Sequence, residues 1–83
     1  MDRNEIKKKI MEFQDKIGMW RIIINNLSEA DFVLGYGFDD ISKKWKVYQN
    51  NEQENQLEWY FETEDEALLK LYKKVKFQYK ISN

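Results

Sequence analysis

A chain of 83 residues with fourteen basic and fifteen acidic side chains, and with no Cys, His or Pro, allows a single domain around one core. It excludes disulfide staples, Cys/His metal sites and any catalysis that runs through a thiolate or an imidazole. The net charge of −1 hides a sorting along the chain: residues 28–66 hold eleven of the acids against three lysines, and the last seventeen residues hold five lysines and no acid.

Residues 2–17 read as an amphipathic helix, because Ile6, Ile10, Phe13 and Ile17 fall on one helical stripe. Asp2 is placed to cap its start and Gly18 to end it. In the following MWRIII, the run Ile22-Ile23-Ile24 favours a short strand, since β-branching restricts χ1 in a helix. Residues 31–38 alternate. Phe32, Leu34, Tyr36 and Phe38 share one face, while Val33, Gly35 and Gly37 leave the other nearly bare. The alternation predicts a strand that is bulged or closely packed on its glycine face. Residues 39–44 supply a turn. Residues 45–49 form a second strand, with Trp45 and Val47 opposite Lys46 and Tyr48. Residues 50–55 form a polar turn, and residues 56–62 a third strand with Leu57, Trp59 and Phe61 inward and Glu58, Tyr60 and Glu62 outward.

Thr63-Glu64-Asp65-Glu66 has the form of a capping box, with extra acid where the helix dipole favours it. A helix from Glu64 to about Val75 follows, its apolar face made by Leu68, Leu71, Tyr72 and Val75. The tail through Phe77, Tyr79 and Ile81 alternates again; it either extends the helix or forms an edge strand. The expected fold is α+β: an N-terminal helix, an antiparallel three- to four-stranded meander, and a C-terminal helix packed on one sheet face, all in one domain spanning 1–83. Trp20, Trp45, Trp59, Phe32, Phe38 and Phe61 are expected in the core.

No run approaches the ~18 apolar residues of a membrane span, and no signal-peptide core is visible, so a cytoplasmic location is expected. The Lys, Asn, Ile and Glu content suggests a bacterial or phage source. Glu58 and Glu62 stand four residues apart on one strand, roughly 13 Å, which is wider than the ~5–9.5 Å of a glycosidase carboxylate pair. Asp39, Asp40 and Ser42 lack the ligand spacing of a calcium loop. No enzyme activity, cofactor, metal or small-molecule substrate is expected. What remains is binding chemistry. Asp39, Asp40, Glu52, Glu54, Glu58 and Glu62, with Tyr48 and Tyr60 among them, are expected to form an anionic surface with aromatic anchors that docks a basic protein. A second candidate is the lysine-rich end, where Lys70, Lys73, Lys74, Lys76 and Lys80 interleave with Tyr72, Phe77 and Tyr79. Nucleic acid is the weaker partner there, because base-reading contacts favour arginine and the chain has only Arg3 and Arg21.

Trp45-Lys46-Val47-Tyr48, then Asn51-Glu52, then Phe61-Glu62-Thr63-Glu64-Asp65-Glu66-Ala67, ending near Leu71-Tyr72, form a succession that resembles small bacterial immunity proteins, which neutralise polymorphic or contact-dependent toxins. The resemblance covers Gly37 to Lys74, roughly half of the chain. It implies a stoichiometric inhibitor with no catalytic residues, whose toxin-facing surface is Asp39, Asp40, Glu52, Glu54, Glu58 and Glu62. A phage-encoded inhibitor of a host defence protein would present the same sequence features.

Overall fold

Two helices packed side by side on one face of a four-stranded mixed sheet make up the fold. The computed structural model describes residues 2–53 and 55–82. Helix α1 spans Arg3–Met11, and its N-cap Asp2 accepts a hydrogen bond from the Glu5 amide. A 3-10 turn, Gln14–Lys16, continues the stripe before Gly18 turns the chain at φ +65°. The strands are β1 Arg21–Ile23, β2 Val33–Asp39, β3 Lys44–Asn50 and β4 Gln56–Phe61. Helix α2 runs unbroken from Glu64 to Ser82, so the alternating tail is helical. Thr63 caps α2: its Oγ1 accepts from the Glu66 amide and donates to the Glu66 carboxylate. Arg3 sits against Glu64 and Asp65, and Phe13 lies against Tyr72 and Tyr79. The two helices therefore run in the same direction.

The sheet order is β1-β2-β3-β4, with β2, β3 and β4 antiparallel as expected. The expectation of a purely antiparallel sheet is corrected at β1, which pairs with β2 in parallel, Ile22 beside Leu34. Residues 24–32 cause this. They contain no two-residue hairpin turn. Asn25, at φ 56°, instead sends the chain across the sheet face opposite the helices, and it returns to start β2 alongside β1.

The glycine face of β2 is the track for that crossing. A Cβ on Gly37 would meet the Asn26 carbonyl carbon and the Leu27 side chain at 3.0 Å. One on Gly35 would stand 2.5 Å from the Tyr48 hydroxyl and 2.9 Å from the Ile23 carbonyl oxygen. Tyr48 donates to the Asn26 carbonyl, and Asn50 Nδ2 donates to the carbonyls of Ser28 and Ala30. Val33, Tyr48 and Asn50 are thereby buried on what would otherwise be the open sheet face.

On the helix side the core is mostly aliphatic: Ile6, Ile10, Ile17, Ile22, Leu34, Val47, Leu68, Leu71 and Val75 surround Tyr36. The tryptophans do not occupy its centre. Trp20, Trp45, Trp59 and Phe61 are half-buried at its margin, and Phe38 is 41% exposed because it lies near the sheet end, stacked edge-on against Trp45. The buried Tyr36 donates to Glu64 Oε2 at 2.8 Å, and Glu64 also pairs with Arg3 and Lys7. This one carboxylate ties β2, α1 and the start of α2 together.

Gly35→Ala forces the Tyr48 ring or the β1 backbone to move. It should lower unfolding free energy by about 1–3 kcal/mol in denaturant titration, with the β3–β4 hairpin intact. Burial, first, pushes the Tyr48 hydroxyl up to about 12 and that of Tyr36 further still, the latter aided by Glu64. Because the folded values lie above the ordinary 10.0, the stability held by these phenols is complete below pH 10 and lost as pH rises through the folded values. Denaturant midpoints should fall between about pH 10 and 12, with a smaller fall in Tyr48→Phe.

Candidate protein-docking surface

The strand registers place the side chains away from the helices in a grid. One row holds Gly35, Tyr48 and Glu58, and the next Gly37, Lys46 and Tyr60. Asp39 and Lys44 pair beyond them, with Glu62 following the end of β4. The crossing segment covers the β2 side of this grid, so the open part belongs to β3 and β4.

Its centre is a three-residue network. Lys46 Nζ stands 3.1 Å from Glu58 Oε2, and the Tyr60 hydroxyl donates to the same oxygen at 2.6 Å. The Tyr60 bond, then Lys46, holds the Glu58 carboxyl below its usual range; Glu58 in return pushes the Tyr60 phenol up to about 12. Tyr60 is nonetheless 45% exposed, so an accessible ring is held in one orientation by its own hydroxyl. Beside it, Lys44 pairs with Glu62 at 3.3 Å. The Asp39 carboxylate accepts from the Ser42 amide inside the β2–β3 turn, and contacts with Ser42 hold it below its ordinary value.

The expected continuous acidic face is not what the geometry presents. Glu58 and Glu62 are paired with β3 lysines. Asp40 lies exposed in the β2–β3 turn and Glu52 in the β3–β4 turn. Those two turns sit at opposite ends of β3, about 20 Å apart for a seven-residue strand. The acids therefore divide between two ends of the sheet. Glu54 lies outside the described residues. Tyr48, expected as an exposed anchor, is fully buried under residues 26–30 and serves the fold instead. Asp39, Asp40 and Glu62 lie at one end, and Tyr60 with the Glu58 carboxylate it shares with Lys46 continues from them along β4.

Sequence reasoning did not single out two other arrangements. Glu29 and Asp31, on the crossing segment, line a polar hollow of about 270 Å³ with Asn50, Asn51 and Gln56. Every buried side-chain polar atom among the described residues has a hydrogen-bond partner, so no orphaned buried group marks the hollow as a ligand site. On the other side of the sheet, Lys70 and Lys74 hold their ammonium groups 4.7 and 4.9 Å from the Trp59 ring centre. Their i,i+4 spacing placed them on one helix flank, but not opposite Trp59. Among the described residues, no group of three or more acidic side chains is arranged to hold a metal, and no helix is long and apolar enough to cross a membrane.

Comparison with protein-family models, curated proteins and solved structures finds no match.

The Tyr60–Glu58 bond gives a direct check on that geometry. In a spectrophotometric pH titration, one exposed tyrosine should ionise near 12. In Glu58→Gln, that step should move back toward 10, the ordinary phenol value.

Proposed function

We propose that the protein is a stoichiometric inhibitor that binds a basic partner protein, of the toxin-neutralising kind, through the open β3–β4 face and the adjoining 39–40 turn. The observation that supports this is Tyr60, an exposed aromatic fixed in place by Glu58 and Lys46. A ring already ordered loses little side-chain entropy on docking, and tyrosine ringed by polar groups is a common interface anchor. On this surface and its turn stand four acids, Asp39, Asp40, Glu58 and Glu62, and three lysines, Lys43, Lys44 and Lys46, of which Lys44 pairs with Glu62 and Lys46 with Glu58, so the acids exceed the lysines by one. The local field is weakly negative. Affinity then depends on the Tyr60 anchor and on carboxylates that a partner's cations can take over from Lys44 and Lys46, more than on long-range steering.

Inhibition by occlusion needs no catalytic group, and the resemblance to immunity proteins over Gly37 to Lys74 adds to this reading. The experiment is capture of the partner from the native cell on immobilised protein, followed by binding kinetics with the purified pair. Tyr60→Ala should accelerate dissociation by about 30-fold, the scale of an interface anchor. Glu58→Lys with Glu62→Lys should weaken binding further. A partner held equally well by all three proteins defeats the proposal.

A second reading has one observation in its favour. No carboxylate among the described residues lies within ion-pair distance of Lys70, Lys73, Lys74, Lys76 or Lys80. Nucleic-acid association through these lysines would show as gel retardation that weakens steeply with salt, lost in Lys73→Glu with Lys76→Glu and untouched by Tyr60→Ala.

A further inference from the structure

We infer that the free edge of β4 is a docking site for an extended segment of another polypeptide, one that carries carboxylates on the side facing α2. The lysines beside this edge lie on the helix face of the sheet, opposite the face that carries Tyr60, and binding here is independent of the Tyr60 surface.

The two edges of the sheet are treated differently. At β1, Gln14 fills the place of a neighbouring strand: its Nε2 donates to the Trp20 carbonyl at 2.9 Å, and its Oε1 accepts from the Ile22 amide at 2.7 Å. β1 is also only three residues long. At β4 no strand lies beyond among the described residues, and the register with β3 is unbroken from Asn50–Gln56 to Trp45–Phe61. The strand contains no proline, lysine or bulge, devices that keep an edge from pairing, and its one charged side chain, Glu58, is held by Lys46 and Tyr60 on the face away from the helices. Alternate residues of β4 turn their N–H and C=O groups outward, as a ready half-ladder.

The helix side of this edge is cationic and aromatic. Trp59 forms the floor, half-buried, with Lys70 and Lys74 over its ring; Lys74 also lies 5.7 Å from the Phe77 ring centre. Leu57 and Phe77, 44% and 50% exposed, extend the apolar surface. Neither lysine has a carboxylate within ion-pair distance among the described residues. Burial, then Lys70, holds the Lys74 ammonium below its usual value. The site thus offers main-chain hydrogen bonds together with unneutralised positive charge.

That combination selects the occupant. A second copy of the chain is disfavoured. Of the two longest-overlap antiparallel registers of β4 with another β4 that keep the faces aligned, one sets Glu58 against Glu58. The other sets Trp59 against Trp59 and brings the Lys70 and Lys74 pairs of both copies together. Each opposes like charges. A nucleic-acid strand would meet the lysines but leave the amide edge without its ladder. An acidic strand satisfies both, with its carboxylates on the side of Leu57 and Trp59, beneath the two ammonium groups.

The probe is an acetylated, amidated seven-residue peptide alternating glutamate with valine, followed by NMR. Saturable shifts and slowed amide exchange confined to residues 56–61 and the 70–77 flank are expected. Replacing the peptide's glutamates by lysine, N-methylating its ladder-facing amides, or using K70Q/K74Q should each weaken binding by about ten-fold or more. The peptide controls leave the protein unchanged, so a folding defect in the variant cannot mimic the result. No binding at millimolar peptide, equal binding of the control peptides, displacement of the peptide by an oligothymidylate, or a concentration-dependent dimer through β4 would each overturn the inference.

Discussion

The close crossing of residues 24–32 over Gly35 and Gly37 is the contact on which the rest of the structure depends. A chain that leaves a short strand and returns parallel to it must pass over one face of the sheet, and here helices already fill the other. The crossing needs a face without side chains, which two glycines on β2 provide, with Asn26 and Leu27 directly above Gly37. It also needs partners for its own carbonyls. Tyr48 and Asn50 supply three of them, to Asn26, Ser28 and Ala30. Asn50 is itself fixed by Gln56 at 2.5 Å. The polar groups of the crossing are thus satisfied from β3, and β3 gains a second buried face.

That constraint also decides where function can be displayed. With the helices on one side and the crossing on the β2 half of the other, the accessible sheet surface is reduced to β3 and β4. Tyr60 and Glu58 fall there because of the register, Lys46 beside Tyr60 and Tyr48 beside Glu58. The same register sets Lys46 and Lys44 next to the acids. An acidic composition along the chain therefore becomes a set of local ion pairs once strands from different parts of it lie side by side.

Much of this was legible in the residues. The apolar stripe of Ile6, Ile10 and Ile17, the alternation from Val33 to Phe38, and Thr63 with Glu66 each encode a local preference that the packing keeps, whereas Phe32 turns at φ 58° ahead of β2. The bare glycine face signalled a close approach, though not what approaches. Features set by distant pairing were not legible. Tyr48 alternates like a solvent-facing strand residue and is buried by a segment more than twenty positions away. β1 has no signature of parallel pairing, because direction depends on the path of the intervening loop. The acids of residues 39–62 are close in sequence, yet hairpin turns at opposite ends of β3 draw them apart. The tail around Phe77 carries strand-like alternation, but a capped helix already running extends through it, since each added residue gains a hydrogen bond without a new nucleus.

The two proposed surfaces meet at β4 and differ in sign across it. On one side of the strand, Glu58 and the nearby Glu62 are balanced by lysines from β3; on the other, Lys70 and Lys74 lie against the rings of Trp59 and Phe77, with no carboxylate within ion-pair distance among the described residues. Cation–aromatic attraction is worth about 0.5–2 kcal/mol, enough to hold the lysine stems in place but less than an ammonium gains from a desolvated carboxylate with good geometry. Burial, then Lys70, holds the Lys74 ammonium below its usual value, and a carboxylate beside it would act in the opposite direction. A strand edge free of proline, lysine and bulge, next to such a charge, gains from a ligand what the described residues do not supply. The Glu58–Lys46 side shows the opposite condition, since its charges are already satisfied and a partner there must compete for them. The difference between a satisfied face and an unsatisfied edge on one six-residue strand is the physical reason to look for contact at both sides of β4, with the ring of Tyr60 as anchor on one and the main chain as ladder on the other.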